Sequence, residues 1–201
     1  WDNILLSDSR AIMINANTDG IIFNSVLSDS KLADIFERWT RDWNIILEWD
    51  FYKQIVQSNV NNYYMVDDDN KIKAKGGFWN IDIKLDDKFD KSMAAKKMAM
   101  KKFNPDLKFD LRPQDFMVTF TATKSTKYVI EPFKEVGTIA LICTNDGEEV
   151  SKHRWDEKKQ REEIVRFNFP YRFERYTGVI PKNINLDFYK EQANTIAESV
   201  R

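Results

Sequence analysis

The 201-residue chain is 42% hydrophobic and 31% charged, a balance that excludes a disordered segment and suffices for one or two domains with real cores. Its formal net charge of -1 removes any general basic field, so a nucleic-acid partner has to be met by a local patch. One cysteine and one histidine exclude an internal disulfide, a cysteine-rich zinc site and a multi-histidine metal centre, and no membrane span or signal-peptide pattern is visible.

The chain begins at Trp1 rather than Met, which reads as a fragment or a processed piece. Its first strong signal is a strand, a sharp turn and a strand. Apolar Ile12, Ile14, Ile21 and Phe23 flank Asn17-Thr18-Asp19-Gly20, and Asp-Gly is a hairpin signal. Such a hairpin lifts Asp19 clear of a rigid sheet, as a metal-binding carboxylate requires. The alternative is a plain surface turn in which Asp and Gly serve only their backbone preferences. Ser28-Asp29-Ser30 then offers an N-cap, and Leu32, Ile35, Phe36, Trp39 and Trp43 mark one face of a helix over residues 30–43. Residues 45–51 and 60–66 read as strands. Asp67-Asp68-Asp69-Asn70 is a turn that lacks the Gly and terminal Glu of a calcium loop. Residues 71–75 alternate, which sends Lys71, Lys73 and Lys75 to one face away from the core.

Composition shifts near residue 79. Residues 90–103 predict a helix with Met93, Ala94, Met98 and Phe103 inward and Lys96, Lys97, Lys101 and Lys102 outward, stopped by Asn104-Pro105. Those lysines serve either phosphate contacts or a solvated face at the helix's negative end. Residues 116–121, 127–130 and 137–144 are β-rich. Cys143, in an apolar run, reads as a small core residue, and nothing local activates it as the nucleophile of a Cys143–His153 pair. A capped amphipathic helix from Asn185 carries Tyr189, Ala193, Ile196, Ala197 and Val200. The sum is an α+β chain. An antiparallel sheet with a packed helix occupies residues 1–78, and a mixed helical and β domain occupies 79–201.

Taken in order, these pieces resemble the C-terminal part of a family B DNA polymerase of the phage or mobile-element type. Asn17-Thr18-Asp19-Gly20 is similar to the palm motif Asp-Thr-Asp-Ser, with the metal-ligand Asp falling on Asp19, Asn17 replacing the first Asp and Gly20 the Ser. Asn61-Asn62-Tyr63 followed by Lys71-Ile72-Lys73-Ala74-Lys75-Gly76 resembles the Lys-x-Tyr segment and its hairpin, with Asn61 where lysine is usual. The run from Pro181 to Tyr189 is similar to the segment that closes the thumb. The resemblance is close over residues 1–78 and loose over 79–201.

The resemblance implies a palm sheet followed by a thumb, and DNA-directed DNA polymerisation. Asp19 would be a catalytic ligand of Mg2+. Asn61, Asn62, Tyr63, Lys71, Lys73 and Lys75 would lie along duplex DNA. The implied partners are primer–template DNA, deoxynucleoside triphosphates and the rest of the polymerase, with no membrane and a cytoplasmic setting. The second palm aspartate, the fingers and the exonuclease carboxylates have no counterpart here, so the chain alone would be inactive. Two other readings remain: a non-catalytic duplex-binding module derived from a polymerase, and a structural domain of a mobile element.

Overall fold

The computed structural model describes residues 1–17, 20–79, 92–121, 126–130, 133–135, 138–165 and 170–200. The protein has an α+β fold in two compact units, Trp1–Lys75 and Gly76–Arg201.

In the first unit, helix α1 (Asp2–Ser7) leads to strands β1 (Ile12–Asn17) and β2 (Gly20–Asn24), an antiparallel pair joined to no further strand among the described residues. Asp8, only 6% exposed, ties the base of this pair: its carboxylate accepts from the N–H of Arg10 and, on the other oxygen, from the Ser25 hydroxyl and the N–H of Val26. These bonds, the Val26 amide foremost, hold its carboxyl below the usual value. Helix α2 (Asp29–Trp43) starts after Ser28 and stops at Asn44, whose left-handed backbone (φ 52°) turns the chain out of the helix. Leu32 and Ile35 are buried, whereas Trp43 is 67% exposed, so the apolar face narrows toward the C-terminal end.

The strand expected over residues 45–51 does not form; that segment makes no ladder and its residues are all exposed. High β-propensity needs a neighbouring strand to pair with, and among the described residues none pairs with it. The pairing goes instead to β3 (Gln54–Asn59), which the sequence pattern did not single out, with β4 (Asn62–Val66) and β5 (Ile72–Lys75) in the order β3-β4-β5. The antiparallel sheet expected over residues 1–78 is therefore two separate sheets.

In the second unit, helix α3 (Met93–Phe103) is capped by Ser92, whose hydroxyl oxygen accepts from the N–H of Ala95 and itself donates to Gln192 of helix α4 (Leu186–Glu198). A 3-10 turn, Pro113–Phe116, precedes β6 (Val118–Thr121), β7 (Thr126–Ile130), β8 (Phe133–Glu135), β9 (Thr138–Thr144), β10 (Glu148–Asp156), β11 (Arg161–Val165) and β12 (Arg172–Arg175). These form one antiparallel sheet in the order β6-β9-β12-β10-β7-β8, with β11 added on β10. Gly147, between β9 and β10, has no room for a side chain: a Cβ there would meet the Thr144 hydroxyl at 2.4 Å and the Phe173 carbonyl at 2.5 Å.

The core of this unit runs from Phe116, Val118 and Ile130 through Leu141, Cys143 and Phe173 to Phe188 and Tyr189. Phe173 and Phe188, then Phe188 and Tyr189, meet edge to face with centroids 5.6 and 5.0 Å apart. The buried Tyr189 hydroxyl donates to the Phe116 carbonyl at 2.8 Å and accepts from the Cys143 N–H at 2.9 Å, so one side chain of α4 fastens both the 3-10 turn and β9.

The outward placing of all four α3 lysines is corrected here. Lys96 and Lys97 are buried, at 8% and 7% exposure. The Lys96 ammonium donates to the Gly77 carbonyl at 2.8 Å, and Lys97 donates to the Asp115 carboxylate at 2.6 Å and to the Asp110 carbonyl at 3.3 Å. Asp115 is fully buried and also accepts from the Arg112 N–H. α3 is covered on every side but that of its last turn, where Lys101 and Lys102 stay exposed, so its flexible lysine stems carry charge to interior polar groups. The inward Met98 is half-buried, while Ala95, Ala99 and Met100 are fully enclosed.

Candidate functional site

The hairpin and the three-stranded sheet hold the residues singled out in the sequence. β1 and β2 pair in register up to Asn17 opposite Gly20, and the Asn17 side-chain oxygen accepts from the Gly20 N–H at 3.0 Å. Asn17 thus supplies a hydrogen-bond acceptor across the turn, as an aspartate there would. Gly20 has no left-handed backbone, and a Cβ added to it would meet nothing within 4 Å. Asn17 and Gly20 both fit the paired ends of β1 and β2. Asp19 and Thr18, the two residues between those paired ends, lie outside the described residues.

Asn15 connects the two sheets. It is 5% exposed, sits at a bulge in β1, and donates from its amide to the Val60 carbonyl at 3.2 Å. Val60 belongs to the turn between β3 and β4, so this bond brings the hairpin beside the turn that carries Asn61. Asn61 is exposed, with its N–H on the Asn59 side-chain oxygen. Asn62 is half-buried and its amide donates to the same oxygen at 3.1 Å.

Tyr63 is placed differently from its expected groove contact. It is 6% exposed on β4, a central strand whose residues 63–66 are buried on both faces. Alternation exposes a residue only where one face of a sheet meets water, and here neither does. The register sets Tyr63 opposite Lys75 and Met65 opposite Lys73, so this face carries lysine only at its β5 edge.

The three lysines are exposed but unequal. Lys73 lies 2.9 Å from the Asp50 carboxylate and 5.9 Å from the Tyr52 ring centroid, and the Tyr52 hydroxyl donates to Asp50. The Asp50 hydrogen bond, with that of Tyr52, raises the Lys73 pKa, and the Lys73 ammonium lowers that of Asp50. Lys71, just before β5, lies 3.3 Å from Asp69. Lys75 has no ion partner among the described residues. Exposed ion pairs contribute little net stability, so Lys71 and Lys73 can exchange their carboxylates for phosphates at small cost.

Among the described residues no group of three or more His, Cys, Asp or Glu side chains is arranged to hold a metal ion. The Cys143 thiol, pushed up to about 12 by burial, does not ionise near neutrality, and the His153 ring faces Ser151 and Glu162. An open groove of about 280 Å³ runs between α2 and the segment after it, lined by Phe36, Glu37, Thr40, Arg41, Leu47 and Trp49. No described helix is long and apolar enough to cross a membrane. Compared with models of protein families, with curated proteins and with solved structures, the chain matches none.

Proposed function

We propose that this chain is part of a DNA-directed DNA polymerase of the family B kind, contributing one metal-binding carboxylate, Asp19, and contacts to the primer–template duplex. The observation that carries the reading is the hairpin closed at Asn17 and Gly20 and hydrogen-bonded through Asn15 to the turn before Asn61. That bond sets strand β1 of the hairpin beside the turn that leads into β4, one of the strands expected to follow the duplex. The sequence order of hairpin, helix and antiparallel strands agrees with the palm that the motifs resemble.

The hairpin's surroundings favour the same reading. Ile12, Met13, Ile14 and Ile21 are 63%, 39%, 38% and 39% exposed on a sheet that has two strands among the described residues. A lone hairpin is marginal in water, and exposed apolar clusters of this kind mark contact surfaces. The rest of a polymerase palm, bringing the second carboxylate, is the cover that fits.

Asp19 offers a hard oxygen donor suited to Mg2+, and the described residues add no complete donor set. Bound Mg2+ would activate the primer oxygen and stabilise the triphosphate in nucleotidyl transfer. Asn15, Asn17 and Asp8 keep the hairpin in place, while Lys71, Lys73 and Lys75 hold phosphates without sequence choice. Tyr63 supports the sheet from within.

In the assembled polymerase, Asp19→Ala should abolish nucleotide incorporation while duplex binding and circular dichroism stay unchanged. The 201-residue chain alone should incorporate nothing. Near-normal incorporation by the Asp19→Ala enzyme would end this reading.

A further inference from the structure

Charges on the β10–β11 hairpin do not cancel evenly. Lys159 lies 2.8 Å from Glu163 and 3.7 Å from Asp156, Arg161 reaches Glu163 at 3.0 Å, and the His153 Nδ1 faces Glu162 at 3.5 Å. Of the carboxylates between Val150 and Val165, that leaves Glu157. On the cationic side, Lys152, Arg154 and Lys158, with Lys127 on the neighbouring β7, have no ion partner among the described residues. All but the half-buried Lys152 are exposed.

These leftover cations stand on both faces of the sheet at the root of the ribbon, Lys152 and Arg154 on β10 and Lys127 on β7. Successive strand residues alternate, so Lys152 and Arg154 project one way and His153 and Trp155 the other. Lys127 is opposite His153 in register and shares the Trp155 face. Among the described residues β7 stops pairing at Arg154, opposite Thr126, and beyond it Trp155 and Asp156 pair with Glu162 and Arg161. Two strand residues at about 3.4 Å each plus a turn give a projection comparable to the major-groove depth of about 8.5 Å. A two-stranded ribbon also fits the groove's width of about 12 Å. A flat docking platform would gather its cations on one face; at the root of this ribbon the three-stranded sheet carries them on both.

We propose that the tip of the β10–β11 hairpin enters the major groove of duplex DNA, with Lys152 and Arg154 reaching phosphates of one wall, Lys127 those of the other, and Lys158 following at the tip. Trp155, 47% exposed, lies at the root of the projection and packs against the sugar edge. This rests on the duplex partner proposed above and adds a second contact surface to it, on the other unit.

The test is a titration of the 201-residue chain with mixed-sequence duplex DNA between 50 and 200 mM salt. Changing Lys127, Lys152, Arg154 and Lys158 to Ala together should flatten the slope of log affinity against log salt by about 3.6. The fourfold rise in salt would then weaken the unaltered chain about 150-fold more than the variant. A control with Lys31, Arg38, Lys108 and Lys182 changed to Ala removes equal charge elsewhere and should keep most of the slope. With the unaltered chain, duplex whose cytosines carry bulky glucosyl groups in the major groove should bind at least tenfold more weakly, and netropsin in the minor groove should leave binding unchanged. Equal slopes for the two four-residue variants, indifference to glucosylation, or no duplex binding at all would overturn the inference. Asp19-dependent incorporation is measured separately, so each proposal can fail without the other.

Discussion

In the described residues of Gly76–Arg201, α3, α4 and a long antiparallel sheet enclose a continuous aromatic core, and even Lys96 and Lys97 of α3 find partners in the interior. Trp1–Lys75 is built otherwise. Its buried apolar residues are Ile4, Leu32, Ile35, Val56 and the run from Tyr63 to Val66, while Trp43, Ile45, Ile46, Trp49 and Phe51 are 67%, 53%, 83%, 44% and 52% exposed. A unit that closes its own core spends its apolar residues within itself, and one that leaves them in water keeps a surface for contact. The contrast assigns stability chiefly to the second unit and association chiefly to the first.

The largest effect expected is at the buried ion pair. Asp115→Ala leaves the Lys97 ammonium without its carboxylate in the interior and should cost about 3–5 kcal/mol, read as a lowered denaturant midpoint for the second unit. Replacing the pair together, Lys97→Met with Asp115→Leu, should restore most of that loss. If Asp115→Ala alone were neutral, the closed-core account of this unit would be wrong.

Next is Tyr189→Phe. It removes the hydroxyl that joins the Phe116 carbonyl to the Cys143 N–H and leaves both buried groups short of a partner, costing about 1–3 kcal/mol by chemical denaturation. The same variant should leave the first unit's amide exchange unchanged.

A smaller, pH-dependent effect belongs to the first unit. Because hydrogen bonds lower the Asp8 pKa from 3.8 in the folded state, its stabilisation is complete above that value and is lost as pH falls through the lowered folded pKa. Hydrogen exchange at the Val26 amide, taken relative to the intrinsic rate at each pH, should therefore stay slow at neutral pH and quicken only in acid below 3.8. Asp8→Asn should quicken it already at neutral pH and remove the acid step. A wild-type amide whose opening showed no acid step would separate Asp8 from the hairpin's anchoring.

The smallest effects should fall on the exposed surface. Gly20→Ser and Ile46→Glu should each change the unfolding free energy of this chain by less than about 0.5 kcal/mol, because neither position is enclosed. Ile46→Glu should nevertheless reduce self-association or partner capture by the first unit, measured by sedimentation. A clear loss of stability there would mean that the surface is already covered within the chain.

Local pattern carried much of this molecule. The α2 stripe, the Asn185 cap, the Asp67–Asn70 turn and the Asn17–Gly20 hairpin all rest on neighbours within a few residues, and such signals are written in adjacent positions. The apolar run containing Cys143 also marks its own burial. What adjacent positions could not decide were the partners distant in the chain. Residues 45–51 have strand propensity but no strand paired with them among the described residues, and β3 pairs because β4 lies alongside. Lys96 and Lys97 read as solvated until Gly77 and Asp115 are brought to them, and Tyr63 reads as exposed until both faces of β4 are covered. The split of hairpin cations into paired and unpaired likewise follows from cross-strand register. Propensity and periodicity act through the chain's own backbone over a few residues; burial, ion pairing and strand partnership are set by which distant segments meet, and only the tertiary structure decides that.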